Sequence, residues 1–163
     1  MTRSSGAFFC SMEIILYQPE IPQNTGNVVR TCAVTNASLT LVRPLGFSTS
    51  DKALKRAGLD YWHDVDINYV DDLHKHLLTI EQPFYFFSSK ASLPYTEICF
   101  GESDLLIFGS EQQGLPEFAW DLWPERFYRI PMRENARCLN LSNSVAIVLY
   151  EALRQQKFQP LAF

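Results

Sequence analysis

The run NTGNVVR, residues 24–30, sets three side chains with hydrogen-bonding groups, Asn24, Thr25 and Asn27, ahead of a single guanidinium, Arg30. Asn, Thr and Asn are residue types that accept from the free amides at a helix start. Gly26 lets the backbone turn among them. Arg30 follows Asn27 by three residues, so the two share one face of the expected helix, with Arg30 one turn inside it. A cation near a helix N-terminus opposes the macrodipole. The placement suits an anionic partner such as a phosphate, or else a plain capped loop.

A second polar run, FGSEQQGLP at 108–116, has Gly109 and Gly114 bracketing SEQQ directly after an apolar stretch. A phosphate loop would need Gly-Lys-Ser/Thr, and here Leu115 and Pro116 follow Gly114. The spacing is not that of a dinucleotide fingerprint either. What remains is a backbone that closes around a flat, mostly neutral ligand, with Glu111 suited to a cationic one, or simply a tight connection. The third run is the irregular segment 131–139 leading into Asn140, Ser142, Asn143 and Ser144, just before the apolar stretch that begins at Val145. One of these groups is enough to cap a helix, so the others are spare.

Metal chemistry has no matching pattern. Cys10, Cys32, Cys99 and Cys138 are scattered, and His63, His74 and His76 lack partners at ligand spacing. The cysteines read as reduced thiols of a cytoplasmic protein. Net charge is −4, which argues against a general nucleic-acid coat. Local readout stays open through two basic clusters, Lys52, Lys55 and Arg56, and Arg129, Arg133 and Arg137.

The elements that must position these runs follow from periodicity. Apolar runs at 13–18, 39–43, 83–89, 104–111 and 125–132 predict strands, and DVDINYV predicts an edge strand. Helices are predicted over 27–37, over 50–58 between a Ser50 cap and a Gly58 stop, and over 71–80. Two more are predicted over 116–123, with Pro116 at its first position, and from Ser142 to Lys157. The segment PEIPQNTG reads as a loop. Strands and helices alternate, and several strands are apolar without a break. That predicts an α/β fold with a mostly parallel sheet sandwiched by helices. A chain of 163 residues fits one domain, 12–163, behind an extension over 1–11 that is predicted to be disordered; Met12 is a candidate natural start. Ser11 and Glu13 interrupt the early apolar residues, so no signal peptide is expected, and no apolar run is long enough to span a membrane. In such sheets ligands gather beyond the carboxyl ends of strands, which is where all three polar runs fall.

In this order, EIPQNTGNVVR, FGSEQQGLP and IPM……LNLSNSVAIVLYE resemble the three motifs of the knotted SPOUT-class RNA methyltransferases, in their 2′-O-ribose branch. PLGF……KALKRAGLDYW, at 44–62, is similar to the small single-domain TrmL/YibK-like members, which modify the wobble nucleotide of tRNA. The resemblance spans about residues 13–155. It implies a C-terminal deep trefoil knot, a homodimer with its active site at the subunit interface, and tRNA, at its anticodon loop, as partner. It implies S-adenosylmethionine as cofactor, S-adenosylhomocysteine as product, and no metal. Periodicity indicates no knot, and threading is nearly absent from proteins in general.

Carried over by position, the resemblance puts the cofactor cradle on Phe87, Gly109, Ile130, Cys138 and Leu139, with Glu111 and Gly114 shaping the second loop. Many members have a small polar or apolar residue where Cys138 stands. The central catalytic role falls on Arg30. An arginine is always protonated and therefore a poor base. It can orient the ribose by binding its phosphate, or stabilise the developing alkoxide. Asn24 would hold Arg30 or the substrate, and Asn140, Ser142 and Asn143 would face the cofactor and the ribose. Lys52, Lys55 and Arg56 read as phosphate contacts or as a solvated helix face. Tyr61 and Trp62 would stack on an extruded base or pack the dimer, with packing preferred. The other readings are a non-catalytic RNA-binding or assembly protein of the same fold, a methyltransferase acting on another RNA, and a nucleotide-binding module.

Overall fold

Three consecutive apolar residues of strand β1 (Glu13–Tyr17), namely Ile14, Ile15 and Leu16, are fully buried. Such a strand has to be covered on both faces. The computed structural model describes residues 12–56, 59–159 and 161–162, and it shows that arrangement. The extension expected over 1–11, with Cys10, and the helix stop expected at Gly58 lie outside those residues.

The remaining strands are β2 (Ser38–Val42), β3 (Ile67–Val70), β4 (Phe84–Phe87), β5 (Leu93–Pro94), β6 (Leu105–Phe108) and β7 (Phe127–Arg129). They form one seven-stranded sheet in the order β3-β2-β1-β6-β4-β7-β5. Every strand pairing in it is parallel. The helices are α1 (Pro22–Thr35), α2 (Asp51–Arg56), α3 (Leu73–Leu78), α4 (Glu117–Leu122) and α5 (Leu141–Gln155). The period of two sends alternate strand residues to opposite faces. Leu106 and Phe108 join a core with Val28, Val29, Val145 and Leu149 of α1 and α5. Leu105 and Ile107 join another, with Leu73, Leu77 and Ala119 of α3 and α4. Two cores explain why the strands read as unbroken apolar runs.

The alternation of elements and the edge position of β3 are as expected. Several boundaries differ, and one strand is new. Helix α1 starts at Pro22, so Asn24, Thr25 and Asn27 lie inside it and none of them caps it. Pro116 is the N-cap of α4, one residue outside the helix. Strand β7 is short because Pro124–Arg126 forms a 3₁₀ turn before it and Ile130 leaves the sheet after it. The two-residue β5 was not foreseen, because a pairing that short leaves no periodic signal.

Candidate active site

The carboxyl ends of β1, β6, β4 and β7 lie side by side, with Leu16 opposite Phe108, Phe108 opposite Phe87, and Phe87 opposite Tyr128. The first, second and third polar runs leave the sheet from β1, β6 and β7, so the topology collects all three at one edge.

Between Phe108 and Leu115 the chain closes on itself. Ser110 and Gly114 exchange both backbone hydrogen bonds, at 3.1 and 3.0 Å. Gly114 has φ 71, and a Cβ on Gly109 would fall 2.3 Å from the Gly114 carbonyl carbon. Both glycines are therefore required by the turn. The turn projects Glu111 toward α1. The N-cap position of α1 is Ile21, which has no side chain able to cap. The Glu111 carboxylate takes that role from 90 residues away, accepting from the amides of Glu20 at 2.8 Å and Ile21 at 3.1 Å.

Asn24 carries the connection onward. Its amide nitrogen donates to Glu111 at 3.3 Å, and its amide oxygen accepts from Asn140 at 2.8 Å. Asn140 in turn caps α5, accepting from the Ser142 amide at 2.9 Å and its hydroxyl at 2.5 Å, and from the Asn143 amide at 3.4 Å. Ser144 also closes back, donating to the Asn140 carbonyl at 3.2 Å. Most of the polar surplus at the α5 start thus serves the cap and its link to α1. The side chain of Asn143 is at the exposed surface.

Arg30 is exposed on α1, well beyond the first turn. With α1 starting at Pro22 rather than near 27, Arg30 is beyond the reach of the dipole at the helix start. The guanidinium lies over the Tyr61 ring, 4.6 Å from its centroid, and donates to the Tyr61 hydroxyl at 3.3 Å. Lys52, Lys55 and Arg56 are exposed on α2, which Leu54 anchors to the core and Ser50 caps. Trp62 is buried in the chain's own core and meets Phe47 edge-on, which takes it out of both expected roles, base stacking and dimer packing. Tyr61 is 40% exposed.

Of the expected cradle, Phe87 is buried and stacks on Phe108, with centroids 5.0 Å apart. Ile130 follows β7 and is half-buried, and Leu139 is 39% exposed. Cys138 Sγ lies 3.4 Å from Ser89 Oγ. Of these residues, Cys138 lines a cavity of about 530 Å³, together with Ser89, Arg129 and the 131–136 segment. That volume is in the range of small-molecule sites, about 300–1,000 Å³. Arg129 Nε is buried there with no hydrogen-bond partner among the described residues, and Glu134 lies on the same cavity. A ligand with a carboxylate and a cationic group fits this pair, as an amino-acid-bearing cofactor would. By sequence alone Arg129 counts only as one member of a basic cluster. Its signal was an arginine placed inside an apolar strand.

Three kinds of comparison bear on this arrangement. Residues 11–150 match the family model described as the SpoU rRNA Methylase family. The chain is 47% identical over 148 residues to a tRNA (cytidine(34)-2′-O)-methyltransferase from Methylovorus glucosotrophus, covering 90% of this chain and 96% of that one. Its fold resembles a solved structure concerned with the 2-OH methylation of C/U34 on tRNA, with TM-score 0.82, 42% identity, and 91% and 97% of the two chains covered. It also resembles an AdoMet-bound rRNA methyltransferase from Sinorhizobium meliloti, with TM-score 0.75, 25% identity, and 91% and 57% covered.

Proposed function

This chain belongs to the SpoU rRNA methylase family, and on that premise we propose that it transfers a methyl group from S-adenosylmethionine to the ribose 2′-hydroxyl of the pyrimidine at the wobble position of tRNA. The observation that carries the reading is the hydrogen-bonded series Glu111–Asn24–Asn140, which ties the turn after β6, the first turn of α1 and the start of α5 into one frame. The relatives named for wobble-cytidine or C/U34 methylation support the substrate, and the AdoMet-bound neighbour supports the cofactor.

S-Adenosylmethionine, when bound, supplies an electrophilic methyl on a sulfonium. Phe87, Gly109, Ile130, Cys138 and Leu139 would hold it, with Arg129 and Glu134 at its amino-acid end. Held there, it would give its methyl to the 2′-oxygen and leave as a neutral thioether, so its positive charge would be lost from the cradle. That chemistry needs no metal. A cradle of low polarity favours the loss of charge. The 2′-hydroxyl proton leaves to a phosphate oxygen or to water, since Arg30 cannot accept it. Arg30, already oriented by Tyr61, holds the phosphate and so aligns the hydroxyl with the methyl. Alignment of two reactants is itself a large part of such a rate enhancement. Asn24 and Ser142 position the loops through Asn140, and exposed Asn143 meets the ribose. Lys52, Lys55 and Arg56 take flanking phosphates.

The working unit in this reading is a cytoplasmic homodimer that engages the anticodon loop, with a trefoil knot in its C-terminal part. No helix among the described residues is long and apolar enough to cross a membrane. The test is nucleoside mass spectrometry of tRNA from a strain lacking the protein. A 2′-O-methylated pyrimidine at the wobble position should disappear, and purified protein with S-adenosylmethionine should restore it. Persistence of that nucleotide in the deletion strain would overturn the proposal.

A further inference from the structure

We propose that the cavity over the carboxyl ends of β2 and β3 takes one unpaired base of the RNA, a neighbour of the nucleotide that is methylated. The inference rests on the function proposed above. The cavity measures about 690 Å³, with Tyr69, Phe47, Arg43, Asp71, Ser48 and Thr49 in its lining. A nucleobase fits well within that volume.

The chemistry of the lining matches a base. Tyr69 is a large aromatic residue left 37% exposed on the edge strand. The Arg43 guanidinium lies over its ring, 5.1 Å from the centroid. Arg43 also pairs with Asp71 at 3.3 Å, although the two side chains are 53% and 81% exposed. An ion pair so exposed adds little to stability. Its effect is to set five fixed donors beside a carboxylate acceptor at the mouth of an aromatic-floored cavity. Single-stranded RNA bases are bound in that way, stacked on an aromatic ring or a guanidinium and hydrogen-bonded along their edges. Arg43 would donate to a ring nitrogen or carbonyl oxygen, and Asp71 would accept from an exocyclic amine or a ring N–H.

Position favours RNA as the occupant. Phe47 meets Trp62 edge-on at 6.5 Å, and the adjacent Tyr61 carries Arg30. The cavity loop is also held to the α1 entry. Gly46 donates to the Pro19 carbonyl at 2.9 Å, and a Cβ on Gly46 would fall 2.7 Å from Glu20 Cα. The amide of Glu20 is one of the two that Glu111 caps. The same loop runs on into α2 with its three exposed cations. A nucleotide beside the target therefore has its base over the cavity and its phosphates between Arg30 and α2.

The test is steady-state methylation of tRNA by Tyr69→Ala and by Ser48→Trp, the latter filling the cavity from an exposed loop. Each should raise the KM for tRNA on the order of tenfold, the contribution of one stacked base, while calorimetry shows S-adenosylmethionine binding unchanged. On wild-type protein, an abasic residue at one position flanking the target should raise KM by a similar factor. The same abasic tRNA should cost Tyr69→Ala nothing more. Should Tyr69→Ala fail to fold, Ser48→Trp and the abasic series decide. Unchanged KM in a folded variant, or an abasic effect that adds to the Tyr69→Ala effect at every position, would sink this inference alone. Absence of methylation by the wild-type protein would sink the proposed function and this inference together.

Discussion

Asn24, in the first turn of α1, is where the turn after β6 and the start of α5 meet that helix. Its amide satisfies a carboxylate on one side and a second amide on the other, and it is 6% exposed. Truncating it leaves Glu111 and Asn140 each short of a partner in a part-buried place. Asn24→Ala should cost about 1–3 kcal/mol, read as a lower denaturant midpoint at constant slope. Asn24→Asp should also fail, because it sets a second carboxylate against Glu111. Arg30 is the opposite case: exposed, replaceable without harm to the core, and given the orienting role in the proposed reaction. Arg30→Ala should lower kcat by about 10²–10³ while calorimetry shows S-adenosylmethionine binding intact. Lysine should not restore the rate if a bidentate grip on phosphate is needed. Near-normal turnover in Arg30→Ala would remove Arg30 from the mechanism. The residue types of the site were legible in the sequence, including Asn24, Glu111 and Asn140. Their partners were not, because hydrogen bonds between residues 87 and 116 positions apart leave no local trace.

Helix α1 shows why one element boundary was misread. Pro, Asn, Thr and Gly are weak helix formers, so the first turns looked like loop. In the folded chain Glu111 supplies the missing cap from another loop. The proline at the first helical position was the available clue. Strands and amphipathic helices were legible because their apolar period is set by burial in two local layers. If the cap is what holds the α1 entry, Glu111→Ala should cost about 1–2 kcal/mol, and Glu111→Gln less, since an amide oxygen still accepts. Thermal melts of both variants check this; equal losses would mean that both carboxylate oxygens are needed as acceptors. The second loop has its own test. Alanine at Gly109 would push a Cβ into the Gly114 backbone. Gly109→Ala should therefore weaken S-adenosylmethionine binding at least tenfold, an expectation from the close-packed turn that calorimetry can check.

For the whole molecule, the α/β class could be read from the sequence, whereas the strand order could not, since parallel neighbours need long connections that any of several orders would satisfy. The central strand β6, between β1 and β4, also sets a global pH response. Asp104 immediately precedes it and is 2% exposed. Burial pushes its carboxyl above the ordinary value, against the opposing effect of the Gly101 amide, which donates to it at 2.7 Å. In the folded state Asp104 therefore keeps its proton to a higher pH than in the unfolded chain. Between the two pKa values the folded state binds more protons, so this group makes stability fall as pH rises. The penalty is absent below about pH 4, the ordinary aspartate value, and complete above the raised folded value. The amide in Asp104→Asn still accepts from Gly101 but cannot ionise. Its melting temperature relative to wild type should therefore rise as pH is taken from about 4 to about 7. Asp72 and Glu151, whose carboxyls are held low by the Lys75 amide and by Arg154, act in the opposite sense and lose stability on acidification. Both groups are present in the variant and the parent, so the difference between the two curves isolates Asp104. A difference that stays flat across the range would mean that Asp104 is already ionised in the folded protein.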